Sequence, residues 1–423
     1  MTDATTEPKA LSDAPVVLVV GSGFRPYREY ILRSASSRYR LWLLDSREAT
    51  WQLQYVVGAT KVDTKDPQAL TAAAREVCEK LPVAGVFTYD ESQVVYCSLL
   101  AEELGLPGSP PDTIRACRDK AATRALLAKA GVPQPQSHTV DTVEEACAAA
   151  DVIGYPVVVK ARSLAGSYGV VRADDQAAVR AAFATADGAE FFGLQRHETG
   201  RVMVEEFLTG PEISVDSVIY KGEVMTTVIA RKHVGMAPYF EEIGHDVSAT
   251  DPLLSDVDLL DQLQRIHQTL GFSYGATHSE FMLTPAGPRL VEVNARLGGE
   301  LIPYLGQLAL GTDPVLAAVQ VSVGERPDTT PTGGKAAGVR FLYPSAHVET
   351  VEVIVHEDRF GPTVHETGVT TSAGDRLALP PVAHLNRYGH VIALGDDLEQ
   401  VVADLADAEQ LVELVATPVT PND

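Results

Sequence analysis

The stretch at residues 277–299, THSEFMLTPAGPRLVEVNARLGG, constrains the fold more than any other part of the chain. Strand-forming residues on either side of the turn-forming TPAGP segment predict two strands joined as a hairpin. Because side chains alternate between faces in a strand, Glu292, Asn294 and Arg296 would share one face. The opposite face would carry the apolar residues Val291, Val293 and Ala295.

The expected pairing of this hairpin points to a cation. A hairpin symmetric about Ala286 would place Glu280 opposite Glu292 and His278 opposite Asn294. Two carboxylates directly opposed across strands repel, so the arrangement makes sense when a cation lies between them. Carboxylate and amide oxygens are hard ligands that suit Mg²⁺ shared with phosphate oxygens. A surface hairpin whose polar face meets water is the alternative, and it leaves the choice of Glu, Asn and Arg before GG unexplained.

Length and charge set the outer bounds. The chain has 423 residues, which predicts two or three domains with a sizeable core. Its 34 Lys and Arg against 57 Asp and Glu give a formal charge of -23, which disfavours general nucleic-acid or anionic-membrane binding. The four cysteines form no CxxC pair and no zinc spacing, as is typical of reduced thiols in a cytoplasmic protein. Residues 1–13 predict a disordered tail, and no apolar run approaches membrane-spanning length.

The first hundred residues predict an α/β domain. APVVLVVGSG reads as a buried strand ending in a glycine turn, followed by a helix and by YRLWLLDS as a second strand. GSGF lacks the GxGxxG spacing, so a dinucleotide site is not supported. Glu91 follows a further strand, VAGVF, at the carboxyl end where open α/β sheets place ligands. Asp45 and Glu91 are therefore candidate substrate contacts, with capping or solvated roles as the favoured alternative.

Two lysines stand in stretches that suit a phosphate ligand. Lys120 lies in a predicted helix over residues 112–130, with Asp112 as its N-cap and Gly131 as its stop, where an ordinary exposed lysine is the alternative.

The apolar strand PVVVK ends at Lys160 and leads into the small-residue loop 165–169. Small residues let backbone N–H groups approach phosphate oxygens closely. The Walker A pattern is absent, and a flexible hairpin loop explains the loop equally well.

The middle of the chain contains two connectors of interest. VMVEEFLTGPEISVDSVIY predicts two strands around a segment in which Glu205 and Glu212 would offer acceptors to a flat ring, although a plain hairpin would look similar. Residues 229–246 combine a basic cluster with an aromatic loop, which is typical of a substrate-covering segment. Tyr239 and Phe240 are the candidate substrate contacts of this loop.

The last part of the chain is less informative. After residue 334 it predicts short strands with glycine and proline turns, and a closing helix over residues 397–415. Arg340, Arg387 and Tyr388 are weaker substrate candidates there, with surface roles favoured.

Taken in order, these motifs resemble the ATP-grasp superfamily, and within it the carboxylate-amine ligases of the L-amino-acid (dipeptide) ligase type. The resemblance covers roughly residues 14–324 and rests on GLPGSPPDTIRACRDK, PVVVKARSLAGSYGVV, VEEFLTGPE, HSEFML and EVNARLGG at family-like separations. It implies an α/β (α+β) ATP-grasp fold of three domains. These are an N-terminal parallel α/β pre-ATP-grasp domain (14–118), a lid domain (119–207) and a C-terminal ATP-grasp domain (208–423) with a terminal subregion from about residue 334.

The resemblance also implies roles for named residues. ATP would be bound by Lys120, Lys160, Ala165, Gly166, Ser167, Tyr168, Gly169, Glu205, Glu206, Phe207, Leu208 and Glu212. Mg²⁺, with Mn²⁺ as an alternative, would be held by Glu280, Glu292 and Asn294. The implied catalytic residues are Arg296 and His278, and substrate contacts are expected from Arg296, Gly298, Gly299, Tyr239, Phe240 and Glu91. Tyr168 departs from the pattern, since many relatives carry a basic residue there, so its phosphate contact would fall to the backbone.

The implied activity is an ATP-dependent ligase that forms an amide or peptide bond. ATP phosphorylates a carboxylate, an amine attacks the acyl phosphate, and ADP and phosphate are released. Loops 165–169 and 237–245 would exclude water. Alternatives are another ATP-grasp ligase or carboxylase using bicarbonate or a nucleotide precursor, and a non-catalytic ATP-binding protein. The expected partners are small-molecule carboxylate and amine substrates, without nucleic acid or membrane, and the resemblance is compatible with a homodimer.

Overall fold

The computed structural model describes residues 14–190 and 197–420, so the tail predicted for residues 1–13 lies outside the described residues. The strands in chain order are β1 (Val16–Val20), β2 (Arg40–Asp45), β3 (Gly58–Lys61), β4 (Val83–Phe87), β5 (Ser137–Val140), β6 (Val157–Ala161), β7 (Val170–Ala173), β8 (Val202–Glu206), β9 (Glu212–Tyr220), β10 (Glu223–Gly235), β11 (Glu241–Ser248), β12 (Tyr274–Thr284), β13 (Gly287–Asn294), β14 (Ala336–Leu342), β15 (Val348–Val355), β16 (Val364–Val369), β17 (Arg376–Leu377), β18 (Gly389–Gly395) and β19 (Val412–Pro418).

Helices cover the faces of the sheets. They are α1 (Arg25–Ser36), α2 (Pro67–Cys78), α3 (Val94–Glu103), α4 (Pro111–Arg118), α5 (Lys120–Lys129), α6 (Val143–Ile153), α7 (Gln176–Gly188), α8 (Val257–Leu270), α9 (Ile302–Leu310), α10 (Pro314–Ser322) and α11 (Leu398–Glu409). None of the helices in the described ranges is long and apolar enough to cross a membrane.

The first sheet is parallel, with strand order β3-β2-β1-β4. β1 is buried along its whole length, as expected for a parallel strand that is covered on both faces. The α/β opening predicted from the sequence is therefore confirmed. The carboxyl ends of β1, β2 and β4 lie at one edge, where the loops that follow them enter the cavity described below.

The second sheet is antiparallel, with strand order β5-β8-β6-β7, and α6 and α7 pack on it through a core of its own. β6 carries Lys160 near its carboxyl end, as the sequence predicts. The loop 165–169 joins β6 to β7. This part has a separate small core that consists mainly of valines and alanines.

The largest sheet has eight strands in the order β13-β12-β9-β10-β11-β14-β18-β16, all antiparallel. Of the strands beyond residue 334, β14, β18 and β16 extend this sheet, whereas β15, β17 and β19 form a separate three-stranded sheet. The helix predicted for 397–415 ends at Glu409, because the chain turns there and forms β19, which pairs with β15.

The single helix predicted for residues 112–130 is wrong. α4 and α5 are separated at Asp119, whose backbone is extended (φ -108°, ψ 99°) and whose side chain accepts hydrogen bonds from the N–H groups of Ala121 and Ala122. Asp119 therefore caps a second helix. Asp112 is an exposed first-turn residue beside Arg115 instead of the N-cap, which is Pro110. Gly131 follows α5 with φ +64°, as predicted for a stop.

Candidate active site

A cavity of about 1580 Å³ lies where the first, second and eight-stranded sheets face one another. Pockets for one small molecule usually enclose roughly 300–1,000 Å³, so this cavity has room for a nucleotide together with further ligands. Most predicted site residues line it: Glu91, Lys120, Lys160, Ala165, Gly166, Ser167, Tyr168, Glu205, Glu206, Phe207, Leu208, Glu212, Phe240, His278, Glu280, Glu292, Asn294, Arg296 and Gly299. The structure places Gly169, Tyr239 and Gly298 outside its lining.

The hairpin of β12 and β13 has the predicted register. Glu280 pairs with Glu292 and His278 pairs with Asn294. This register depends on a bulge, because Glu280 pairs with Glu292 whereas Phe281 pairs with Leu290, which leaves Val291 as an extra residue. Val291 consequently lines the cavity instead of the core, which corrects the simple alternation expected from the sequence.

The polar end of β13 leaves an acceptor open. Asn294 is buried, and its Oδ1 has no hydrogen-bond partner among residues 14–190 and 197–420. Buried amide oxygens are rarely left without a partner. Together with the facing carboxylates, Asn294 presents a set of oxygen donors to the cavity.

Lys232 lies between three carboxylates, and sequence reasoning missed it. Its Nζ is 2.7 Å from Glu212, 3.0 Å from Glu280 and 3.1 Å from Glu242, and its side chain is 3% exposed. Burial opposes the charge, but the three carboxylates outweigh it and raise the pKa of Lys232 well above its usual value. In the sequence, Lys232 is one member of the basic cluster in residues 229–246, and that cluster predicts a covering segment.

His278 is held between two acidic residues. Its Nδ1 lies 2.7 Å from Asp216 Oδ1, and its Nε2 lies 3.2 Å from Glu280 Oε1. Burial opposes protonation, but hydrogen bonds to both carboxylates raise the pKa of His278 to about 9. Both carboxylates therefore favour the protonated imidazole.

Gly298 contacts this His278–Asp216 pair through its backbone N–H. Its N–H donates to Asp216 Oδ2 at 2.9 Å, and a Cβ at this position would lie 2.9 Å from the same carboxylate and 3.0 Å from His278 Nδ1. The position thus needs glycine for close approach. The N–H expected to face the substrate is already used inside the protein, whereas Gly299 does line the cavity.

Lys160 belongs to a buried charge cluster. Its Nζ is 2.6 Å from Glu205, which also pairs with Arg124 at 2.9 Å. Burial favours the neutral carboxyl group, but Arg124 and Lys160 outweigh it and lower the pKa of Glu205 to about 2. The carboxylate of Glu205 is thus occupied by two cations instead of being open to an adenine ring. Arg124 is a second residue that the sequence did not single out.

The other residues of the predicted hinge follow β8. The side chain of Glu206 is held by Arg289 at 2.8 Å, which leaves its backbone to face the cavity. Phe207 lies beside Phe240, with ring centroids 6.3 Å apart.

Lys120 is buried at the start of α5, so the alternative of an ordinary exposed lysine is wrong. Its Nζ lies 3.3 Å from Glu292 Oε1 and donates to the backbone oxygen of Leu164. The break at Asp119 makes this possible, because it lets α5 begin at the edge of the cavity. Lys120 and Lys160 thereby approach from two different elements.

Glu91 and Arg296 form one charged unit. Glu91 Oε2 lies 2.5 Å from Arg296 Nε, and Glu91 Oε1 lies 2.7 Å from Arg118 Nη1. Burial opposes ionisation of Glu91, but the two arginines outweigh it and lower its pKa. Glu91 thus orients Arg296 at the carboxyl-end edge of the first sheet.

The loop 165–169 is closed over the cavity by polar contacts. Ser167 Oγ donates to Phe240 O at 2.8 Å, and Tyr168 Oη donates to His384 O at 3.2 Å. The Tyr168 and His384 rings lie 4.8 Å apart. The covering segment expected at 237–245 is shorter, because β11 already begins at Glu241. Tyr239 packs against the core of the second sheet.

The Tyr168 contact gives a testable prediction. Tyr168→Ala removes the ring contact and the hydrogen bond, which together stabilise the closed loop by about 1–3 kcal/mol. If ATP binds beneath this loop, as the resemblance implies, the KM for ATP should rise roughly 5- to 100-fold in steady-state assays. Tyr168→Phe keeps the ring and should show a smaller rise. The control is Tyr155→Phe, which removes an exposed hydroxyl that bonds to Asp151 at 2.8 Å. An unchanged KM in Tyr168→Ala would show that this contact does not hold the loop.

An ATP-grasp domain model matches residues 153–303, an ATP-grasp N-terminal domain model matches residues 41–108, and a further ATP-grasp domain model matches residues 112–190. The three matches cover most of β2, all of β3 and β4 of the first sheet, the second sheet, and the hairpin that carries Glu280, Glu292 and Asn294.

Individual relatives agree with these matches. The chain is 29% identical to Uncharacterized protein y4rH of Sinorhizobium fredii over 78% of this chain and 64% of that protein. It is 27% identical to Carnosine synthase 1 of Gallus gallus over 74% of this chain and 35% of that protein. The matched region thus spans less than two thirds of either relative. The crystal structure of L-amino acid ligase from Bacillus licheniformis superposes with a TM-score of 0.80 at 20% identity, covering 95% of this chain and 99% of that chain, which shows a shared fold.

Proposed function

Because this chain belongs to the ATP-grasp superfamily, we propose that it is an ATP-dependent carboxylate-amine ligase that forms an amide bond through an acyl phosphate. The proposed products are ADP, phosphate and an amide or peptide. The substrates are a small carboxylate, such as an amino acid, and an amine. The division into domains at 14–118, 119–207 and 208–423 remains part of this proposal.

The observation that carries the proposal is the pairing of Glu280 with Glu292 beside the open Oδ1 of Asn294. Lys232 contacts Glu280 and Lys120 contacts Glu292, so each of these carboxylates already has one protein cation, and the open Oδ1 of Asn294 is the donor left to a ligand. The donors are all oxygens, as Mg²⁺ prefers, so the residues fit that ion. When bound, such an ion polarises phosphate oxygens and neutralises the charge that develops during phosphoryl transfer.

The chain's own residues supply the remaining charge. Lys120 and Lys160 approach the cavity from α5 and β6, where their ammonium groups would contact the phosphates of ATP. Glu205 and Arg124 hold Lys160 in place through a buried cluster. Such positioning matters because phosphoryl transfer is accelerated mainly by orientation and electrostatic stabilisation.

Arg296 is placed for the second half of the reaction. The attack of an amine on an acyl phosphate creates a negative oxygen, and a fixed guanidinium stabilises it. Glu91 and the backbone oxygen of Leu297 hold Arg296 in place, so little reorganisation is needed. The closed loop 165–169 would keep water from the acyl phosphate.

The test is phosphate release with ATP and Mg²⁺ across pairs of the standard amino acids, followed by mass spectrometry. We expect phosphate release that requires both partners, together with a product lighter by one water than the sum of the two. Phosphate release that appears only with bicarbonate or a nucleotide precursor would indicate that the chain catalyses another ATP-grasp reaction. ATP binding without turnover under any condition would contradict the ligase proposal.

A further inference from the structure

The segment 384–387, which we call the strap, lies between β17 and β18 and contacts both the cavity and the loop 165–169. Three of its four residues line the cavity. The fourth, His384, contacts the loop instead. Its backbone oxygen accepts a hydrogen bond from Tyr168 Oη at 3.2 Å, and its ring centroid lies 4.8 Å from that of Tyr168. One short segment from the last part of the chain therefore forms part of the cavity wall and supports the loop.

Glu241 fixes the strap from within the protein. Its side chain is fully buried and lies outside the lining of the cavity. Oε1 accepts a hydrogen bond from His384 Nδ1 at 2.5 Å, and Oε2 accepts one from the N–H of Leu385 at 3.0 Å. Oε2 also accepts from Tyr343 Oη at 3.1 Å. Both oxygens of one buried carboxylate are thus used by neighbouring residues of the strap.

The strap needs this support. Leu385 has φ +56°, a region that non-glycine residues rarely adopt, and its N–H is one of the groups that Glu241 holds. Hydrogen bonds to an ionised carboxylate are stronger than those to a neutral acceptor. The carboxylate of Glu241 therefore stabilises an uncommon backbone conformation next to the residue that contacts the loop.

The same part of the chain receives the loop at a second point. Ser167 Oγ donates to the backbone oxygen of Phe240 at 2.8 Å, and Phe240 directly precedes Glu241. The ring of Tyr239 meets that of His384 edge-on, with centroids 6.2 Å apart. The start of β11 and the strap thus form one contact surface for the loop, and Glu241 joins its two parts.

We infer that Glu241 is a positioning residue, which fixes the strap so that the loop 165–169 stays closed over the acyl phosphate. This inference rests on the proposed ligase function and deepens it. Because Glu241 does not reach the cavity, it acts through His384 and Tyr168. Water that enters an open site breaks the bond between the acyl group and phosphate, which regenerates the carboxylate and releases phosphate and a proton to solvent. ATP is then consumed without an amide.

The experiment measures the phosphate released for each amide formed. The probe is ATP, Mg²⁺ and the pair of standard amino acids that gives the most amide with the unmodified protein, for which we expect a ratio of about 1. In Glu241→Gln the ratio should rise at least about 3-fold, because a neutral acceptor holds the strap less firmly. Partial unfolding lowers both products equally, so a purely structural role leaves the ratio unchanged.

Two further variants test the route from Glu241 to the loop. His384→Phe removes the same hydrogen bond from the other partner and keeps an aromatic ring beside Tyr168, so the ratio should rise there as well. Tyr168→Ala already breaks the link. Adding Glu241→Gln to it should therefore raise the ratio less than about 2-fold further, since mutations on one route are not additive.

Glu366→Gln is the matched control. Glu366 also accepts a hydrogen bond from a tyrosine, Tyr304 Oη at 3.0 Å, but on the exposed surface and outside the cavity lining, so the ratio should not change. An unchanged ratio in both Glu241→Gln and His384→Phe would overturn the inference, as would effects of Glu241→Gln and Tyr168→Ala that multiply in the double variant. Absence of amide from the unmodified protein with every pair would contradict the proposed function itself, and the inference with it.

Discussion

Glu292→Gln is expected to lower the rate of ADP formation by roughly 100-fold or more, since the proposed Mg²⁺ would contribute several kcal/mol to stabilising the transferred phosphoryl group. Gln keeps the shape of the side chain but removes the charge that faces Glu280. The measurement is steady-state ADP formation with a titration of Mg²⁺, with circular dichroism to confirm folding. We expect the Mg²⁺ concentration for half-maximal rate to rise as well.

The control for Glu292→Gln is Glu103→Gln, which removes an exposed carboxylate paired with Arg75. It should leave the rate and the Mg²⁺ requirement unchanged, because surface pairs contribute little. Near-normal activity of Glu292→Gln at low Mg²⁺ would show that the ion is held elsewhere.

Lys232→Met is expected to cost the folded protein about 3–5 kcal/mol at neutral pH, because it leaves Glu212, Glu242 and Glu280 buried without their shared cation. The methionine fills the space, so the loss reflects charge more than volume. Chemical denaturation followed by fluorescence measures the change. The control is Lys129→Met, at an exposed position in the last turn of α5.

The pH dependence of the free energy of unfolding follows from the pKa values of these carboxylates. In the unmodified protein burial favours the neutral forms of all three carboxylates. Lys232 outweighs burial at Glu242 and Glu280 and lowers both pKa values below the usual 4.5, whereas burial raises the pKa of Glu212. Groups with lowered folded pKa values stabilise the fold above about pH 4.5 and lose that effect as the pH falls further.

Without Lys232 the pKa values of these carboxylates would be higher than in the unmodified protein, so protonation would relieve more of their repulsion as the pH falls. The stability difference between Lys232→Met and the unmodified protein should therefore shrink between pH 7 and pH 5. A difference that grows over this range, or a loss no larger than that of Lys129→Met, would show that Lys232 does not neutralise the cluster.

The sequence by itself determined the local elements of this site. Turn chemistry and alternation predicted the β12–β13 hairpin and its Glu280–Glu292 pairing, and the apolar run before Lys160 predicted β6. These features depend on residues that are close in the chain, and short-range periodicity records them. The resemblance to a family then supplied roles that no pattern in a single sequence contains.

The tertiary structure decided which charges meet. The sequence places Lys232 of β10 in a predicted covering segment. In the structure, β10 pairs with β9 and β11, which brings Lys232 between three carboxylates. Glu300 and Arg387 are 87 positions apart in the chain, and only the fold brings their side chains into contact. The energy of a charge depends on its burial and on partners distant in the chain, and local sequence patterns encode neither.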